Sequence, residues 1–181
     1  MKYNPLIHHR RSIRLKGYDY SKAGAYFITI CCEDRIHRFG KVSGDEMILN
    51  QSGTIAYNEW INLAERFPNF ELDVFQIMPN HMHGIIILSD VRATLAVAQE
   101  DDKIKRATAR VAPTIAEIVG AYKSIVSNAC LQLFKSHNKT MGKLWQRNYY
   151  EHIIRDERAY QNISNYIINN PGEWSEDKFH L

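Results

Sequence analysis

Cysteine is scarce in this chain. Cys31, Cys32 and Cys130 are an odd number, and none belongs to a CxxC pair, so neither a zinc knuckle nor a disulfide framework is signalled. A reducing compartment suits that usage. Long hydrophobic runs are missing too: none is long enough to span a bilayer, and the N-terminus has no apolar signal core. The expected protein is cytoplasmic and has no membrane partner. Strong bulk charge is also absent. The formal net charge is only +3, which by itself does not establish a nucleic-acid partner. No internal repeat or low-complexity segment appears, and 181 residues suit one domain. One local absence stands out. Met1 to Tyr18 contains no acidic residue but carries Lys2, Arg10, Arg11, Arg14 and Lys16. Residues 1–20 therefore read either as a basic arm able to follow a phosphate backbone or as an ordinary solvated terminus.

The segments that are present give an alternating order of elements. "AYFITICC" is rich in aromatic and β-branched residues and predicts a core strand, on which Cys31 and Cys32 face opposite ways. "EDRIHRFGKVSGDEMILN" predicts a hairpin-like excursion with turns at Gly40 and Gly44. Asn50 or Ser52 can cap a helix to about Phe67, with Ala56, Trp60, Leu63, Ala64 and Phe67 on one face, before Pro68 stops it. "FELDVFQIM" and "HMHGIIIL" predict two more strands around a Pro79-Asn80 turn. The charged stretch 89–113 has little periodicity and predicts a mobile insertion. Thr114 and Glu117 form a capping-box pattern ahead of a helix carrying Ile118, Tyr122, Ile125, Val126 and Ala129. "KLWQRNYYEHIIR" predicts a final strand, and Asp156 can cap a last helix that Pro171 ends. The order β-α-β-β-α-β-α is α+β, and its first six elements match a ferredoxin-like, split βαβ layout with an antiparallel sheet.

His81 and His83 lie two apart on a predicted strand, so both imidazoles share a face while Met82 points into the core. Such a pair suits a transition metal, or Mg²⁺ or Mn²⁺ with oxygen ligands, although HxH spacing also arises by chance. On the last helix the apolar stripe is Tyr160, Ile163 and Ile167. Asn170 falls within the inward arc, one turn beyond Tyr166 at its edge. A buried amide needs a partner, and a metal held by the histidines would supply one. A rim tyrosine of the core is the plainer reading of Tyr166. If it is instead a nucleophile, its ordinary pKa of about 10 means that it needs help. His152 is either a half-buried histidine with one backbone bond or an active-site support. Trp145, Tyr149 and Tyr150 interleaved with Arg147 suit either a core strand or a stacking surface for bases.

Taken together, "MPNHMHGIIIL", "GAYKS" and "LWQRNYYEHIIRDERAYQNISNYIINNP" resemble the REP-associated tyrosine transposases of the single-tyrosine HUH superfamily. The resemblance runs from the first predicted strand to about Trp174. It implies a ferredoxin-like HUH nuclease domain and a divalent metal, Mg²⁺ or Mn²⁺. His81 and His83 match the HUH histidines, Tyr166 the nucleophile, and Asn170 the place of a third polar ligand that is Gln in some relatives. The implied substrate is single-stranded DNA with palindromic repeats that fold as hairpins, cut and rejoined through a 5′-phosphotyrosine. Arg10, Arg11, Arg14, Lys123 and Arg147 are the expected DNA contacts. A nucleoid-associated location and a homodimer are compatible with the family. The 89–113 stretch is longer than the family pattern. Two other functions fit the same residues: a non-catalytic ferredoxin-like nucleic-acid-binding protein, and a metal-dependent hydrolase using His81, His83 and His152 with water as nucleophile.

Overall fold

The computed structural model describes residues 23–89 and 113–180. Arg10, Arg11 and Arg14, with the rest of the basic arm, lie outside the described residues, as does all but the two ends of the 89–113 stretch.

Among the described residues six strands and four α-helices follow one another. They are β1 (Gly24–Cys31), β2 (Gly40–Ser43), β3 (Glu46–Leu49), α1 (Gln51–Ile61), α2 (Leu63–Arg66), β4 (Phe70–Ile77), β5 (His81–Leu88), α3 (Ile115–Ser136), β6 (Tyr150–Ile154) and α4 (Glu157–Asn169). Short 3₁₀ turns lie at Glu33–Arg35 and Trp174–Glu176. The main sheet has the order β4-β5-β1-β6 and is antiparallel throughout. This is a mixed fold of helices and an antiparallel sheet, with β5 and β1 interior.

Period-two alternation sends the two faces of this sheet to different neighbours. Tyr26, Ile28, Ile30, Met82 and Ile86 pack with Ala56 and Trp60 of α1 and with Ile118, Tyr122 and Val126 of α3. On the other face Phe27, Ile85 and Ile154 meet Ile167 of α4, with Tyr160, Ile163 and Tyr166 packed at the margin. The stripe expected on the last helix is thus the one that docks. A second tie holds α4 across the sheet: the Tyr160 hydroxyl donates to the Asp73 carboxylate at 2.8 and 3.0 Å. Asp73 sits where the β4 register with β5 shifts between Leu72 and Phe75.

The helix starts follow the expected chemistry. Asn50 accepts from the Gly53 amide, Thr114 and Glu117 form a reciprocal capping box, and Asp156 accepts from the Ala159 amide. The first helix differs from expectation. It breaks at Asn62, whose N–H is shared between the carbonyls of Asn58 and Trp60, and a short α2 follows. The excursion after β1 is a true hairpin, but only Gly44 is in its turn. Gly44 and Asp45 take left-handed φ of 59° and 62°, a two-residue turn in which both central residues need φ above zero. Gly40 opens β2 instead.

The last strand is shorter than expected, beginning at Tyr150 rather than Lys143. Of the residues before it, Leu144 and Trp145 are taken into the core. Trp145 is buried, stacks near Phe39 at 5.1 Å and Tyr122 at 5.9 Å, and donates its indole N–H to the Lys123 carbonyl. Trp145 is therefore a core side chain and no base-stacking platform.

Gly84 of β5 lies under Trp60. A Cβ there would meet Trp60 Cζ2 at 2.8 Å, in a core with little slack. Gly84→Val should therefore cost about 1–3 kcal/mol through overpacking, read as a lower midpoint in denaturant unfolding. An unchanged midpoint would mean that the indole moves aside at no cost.

Candidate active site

The site is built from the C-terminal half of β1, the start of β5, the end of α4 and the segment after it. Cys31 and Thr29 of β1 pair directly with His81 and His83 of β5, and both imidazoles project toward α4. They are almost completely buried. His81 Nε2 and His83 Nε2 lie 3.0 Å apart, close to the spacing of adjacent ligands in an octahedral shell of about 2.1 Å radius. The outer ring nitrogens are also engaged. His81 Nδ1 is 2.9 Å from Asn80 Oδ1, and His83 Nδ1 is 2.8 Å from Thr29 Oγ1. Outer hydrogen bonds of this kind orient metal-binding imidazoles.

The docking of α4 brings the Tyr166 hydroxyl to 3.1 Å from His83 Nε2. The phenol ring rests edge-on to Phe27 at 6.2 Å and tilted against His83 at 5.1 Å. Asn170, one turn on, is fully buried. Its Nδ2 donates to Asp177 Oδ2 at 2.7 Å, while its Oδ1 has no hydrogen-bond partner among the described residues. An orphaned buried carbonyl oxygen is costly and suits a site that takes a cation.

Sequence reasoning missed Asp177. One donor atom each from His81, His83 and Asp177 falls within 4.8 Å of the others, the candidate metal group among the described residues. Two imidazoles and a carboxylate, the latter hydrogen-bonded by Asn170, are a donor set for a divalent ion. Asp177 is placed by the C-terminal segment, which folds back over the histidines. Phe179 stacks on His81 at 4.5 Å and Trp174 lies 5.9 Å from it. The Phe179 carbonyl accepts from Asn80 Nδ2 at 2.8 Å. The only trace in the sequence is the two isolated aromatic residues after Pro171, Trp174 and Phe179, in an otherwise polar tail.

Burial governs the titration of the site. It lowers His81 to about 4, against the raising pull of Asp177, and pushes His83 well below its ordinary value, with His81 adding to the effect. Both rings are therefore neutral at pH 7, the form that binds metal. Tyr166 is pushed up to about 12, first by burial and then by the Asp177 charge. Its hydroxyl is protonated at neutral pH.

The other expected site residues lie elsewhere. His152 pairs with Phe27 on β6 and is exposed, with β1 between its strand and β5. It is not brought together with His81 and His83. The Lys123 ammonium donates to the carbonyls of Gln146 and Arg147 at 2.7 and 3.0 Å. It straps the 141–149 segment to α3, and burial lowers its pKa. Arg147 is exposed. It lines a depression of about 410 Å³ together with Lys123, Ser124, Ser127, Lys143 and Trp145. Among the described residues no helix is long and apolar enough to cross a membrane.

No family model matches the chain. An uncharacterized protein of Haemophilus influenzae is 41% identical over 181 residues, spanning 99% of this chain and 98% of that one. A second H. influenzae protein, provisionally named a REP-associated tyrosine transposase, is 27% identical over 172 residues, covering 90% of this chain and 83% of its own length. The chain is thus similar in sequence to a REP-associated tyrosine transposase over most of both lengths. The fold agrees. A solved REP-associated tyrosine transposase bound to a REP hairpin superposes with a TM-score of 0.59 at 21% identity, over 91% of this chain and 76% of that one. In this chain the described structure gathers His81, His83, Tyr166, Asn170 and Asp177 in one place.

Proposed function

We propose that this protein cuts and rejoins single-stranded DNA by transesterification, with Tyr166 as nucleophile and His81, His83 and Asp177, assisted by Asn170 Oδ1, holding a divalent ion, Mg²⁺ or Mn²⁺. On this reading the four-stranded sheet is a ferredoxin-like HUH nuclease sheet, and α4 is the helix that delivers the tyrosine. The observation that carries it is the 3.1 Å approach of the Tyr166 hydroxyl to His83, itself 3.0 Å from His81. A phenol and a buried pair of imidazoles share one point, as metal-assisted phosphoryl transfer to a side chain requires. When bound, the ion would supply Lewis-acid polarisation of the scissile phosphate and neutralise charge on its oxygens.

The chain's own residues supply the rest. The Tyr166 oxygen forms a bond to phosphorus, and the bond from phosphorus to the 3′-oxygen breaks. The phenol proton is lost, and the departing 3′-oxygen gains one. Because the 5′-phosphotyrosine keeps the energy of the phosphodiester, the reverse attack by another 3′-hydroxyl rejoins DNA without a nucleotide cofactor. Phe27 and the Tyr160–Asp73 bond hold α4 so that the phenol stays in register with the histidines. Arg147 offers an exposed cation for the DNA backbone, and Tyr150, about half exposed on the same sheet face, offers a ring for stacking. The hairpin named with the solved relative makes a DNA stem-loop with a single-stranded flank the first substrate to test.

The test uses a hairpin oligonucleotide labelled at its 3′ end, incubated with the full chain and Mn²⁺ and run on a denaturing gel. The label is expected on a slow protein–DNA band, because the 3′ fragment is the one joined through its 5′-phosphate. Short labelled product without that band would instead mean water as nucleophile. Binding without either product would leave a nucleic-acid-binding protein.

A further inference from the structure

The two buried imidazoles differ in the partners given to their outer nitrogens, and those partners have different chemical freedom. Asn80 is buried and fully committed. Its Nδ2 donates to the carbonyls of Arg35 at 3.1 Å and Phe179 at 2.8 Å. Two carbonyl acceptors admit only the NH₂ end of the amide, so the oxygen must be the end facing His81 Nδ1. That nitrogen must then carry the hydrogen, and in a neutral ring His81 Nε2 is a bare lone pair. His83 meets a hydroxyl instead, and a hydroxyl can donate or accept.

Without a cation between the rings, the tautomer of His83 follows from that of His81. With His81 Nε2 bare, His83 Nε2 at 3.0 Å cannot also be bare without two lone pairs facing each other. His83 therefore carries its proton on Nε2 and donates it toward His81, and Nδ1 accepts from the Thr29 hydroxyl. That same N–H lies 3.1 Å from the Tyr166 oxygen. That arrangement cannot hold a cation on both imidazoles, because each must then present a lone pair at Nε2.

We propose that Asn80 fixes His81 in a single tautomer while Thr29 lets His83 move its ring proton from Nε2 to Nδ1 when the site is loaded with a divalent cation. The proposal rests on the metal reading above. The number of protons is unchanged. His83 loses the Nε2 hydrogen and gains one on Nδ1, and Thr29 turns from donor to acceptor. One consequence reaches the nucleophile. In the loaded state His83 no longer presents an N–H to the Tyr166 oxygen, so loading also frees the phenol from that donor. Asn80 and Thr29 are positioning residues, acting through the imidazoles.

Long-range ¹H–¹⁵N spectra of histidine-labelled protein test this, with Mg²⁺ as the diamagnetic probe. Without metal, His81 should show a proton on Nδ1 and His83 on Nε2. With saturating Mg²⁺ both should show it on Nδ1. Thr29→Val, nearly isosteric but unable to accept, should weaken Mn²⁺ binding, measured by electron paramagnetic resonance, by roughly 10–100-fold. Thr29→Ser should restore it. Mn²⁺ binding with an unchanged His83 tautomer, or a Thr29→Val protein that binds as tightly as wild type, would overturn the proposal and leave the metal site standing. No Mn²⁺ binding to the wild-type protein would remove both.

Discussion

Tyr166→Phe is expected to abolish the covalent protein–DNA band while leaving the fold intact. The hydroxyl is the only group removed. Its hydrogen bond is to His83 at 3.1 Å, and the ring contacts with Phe27 and His83 persist. Losing one half-buried hydrogen bond costs about 1 kcal/mol, too little to unfold a domain with a core on each face of its sheet. The chemical effect is of another order. An enzyme deprived of its nucleophile falls by on the order of 10⁶ in kcat, below detection on a gel. Cation binding should persist, since the phenol is outside the group formed by His81, His83 and Asp177. A variant that still forms the adduct would place the nucleophile elsewhere, and one that merely stops binding DNA would make Tyr166 a contact residue.

His83→Ala carries the second large effect. It should remove measurable Mn²⁺ binding in a calorimetric titration and the adduct with it. Loss of an outer partner to a metal-binding histidine already costs roughly 10–100-fold in affinity, and loss of a ligand exceeds that. The substitution also strips partners from Thr29 Oγ1 and His81 Nε2 inside the protein, at about 1–3 kcal/mol for each buried group left unsatisfied. A lower melting temperature is therefore expected here, unlike Tyr166→Phe, and binding must be measured well below the new transition. Retained Mn²⁺ affinity would dissociate the imidazole pair from any metal function.

Much of the site was legible because it is set by local periodicity. The spacing of His81 and His83 on a strand fixes a shared face. The helical spacing of Tyr160, Ile163 and Ile167 fixes the docked face of α4, which carries Asn170 inward. Asp177 was not legible, because it lies beyond Pro171 in a segment with no repeating geometry. Long-range contacts bring it to the site: the packing of Trp174 and Phe179 on His81, and hydrogen bonds from Asn80 and Asn170. The strand expected from Lys143 failed for a related reason. Aromatic residues that look like an alternating strand are recruited by the core, as Trp145 is, when a neighbouring helix offers a cavity and a carbonyl. Lys123 looked like a phosphate contact because a lysine on a helix face is usually solvated, yet two backbone carbonyls lie within its reach. The break at Asn62 likewise turns on one shared backbone hydrogen bond that no propensity encodes.

β5 is bonded on both edges, to β4 and to β1, and so it has no free margin into which an added residue could be pushed. A single-codon insertion or deletion near its start would advance its reading frame of faces by one. Met82 and Gly84 would then look out toward α4, and the imidazoles would be driven in against Trp60. Loop lengths elsewhere in the chain can drift by small steps, but a lineage that loses or gains one residue here loses the facing pair of imidazoles in a single event.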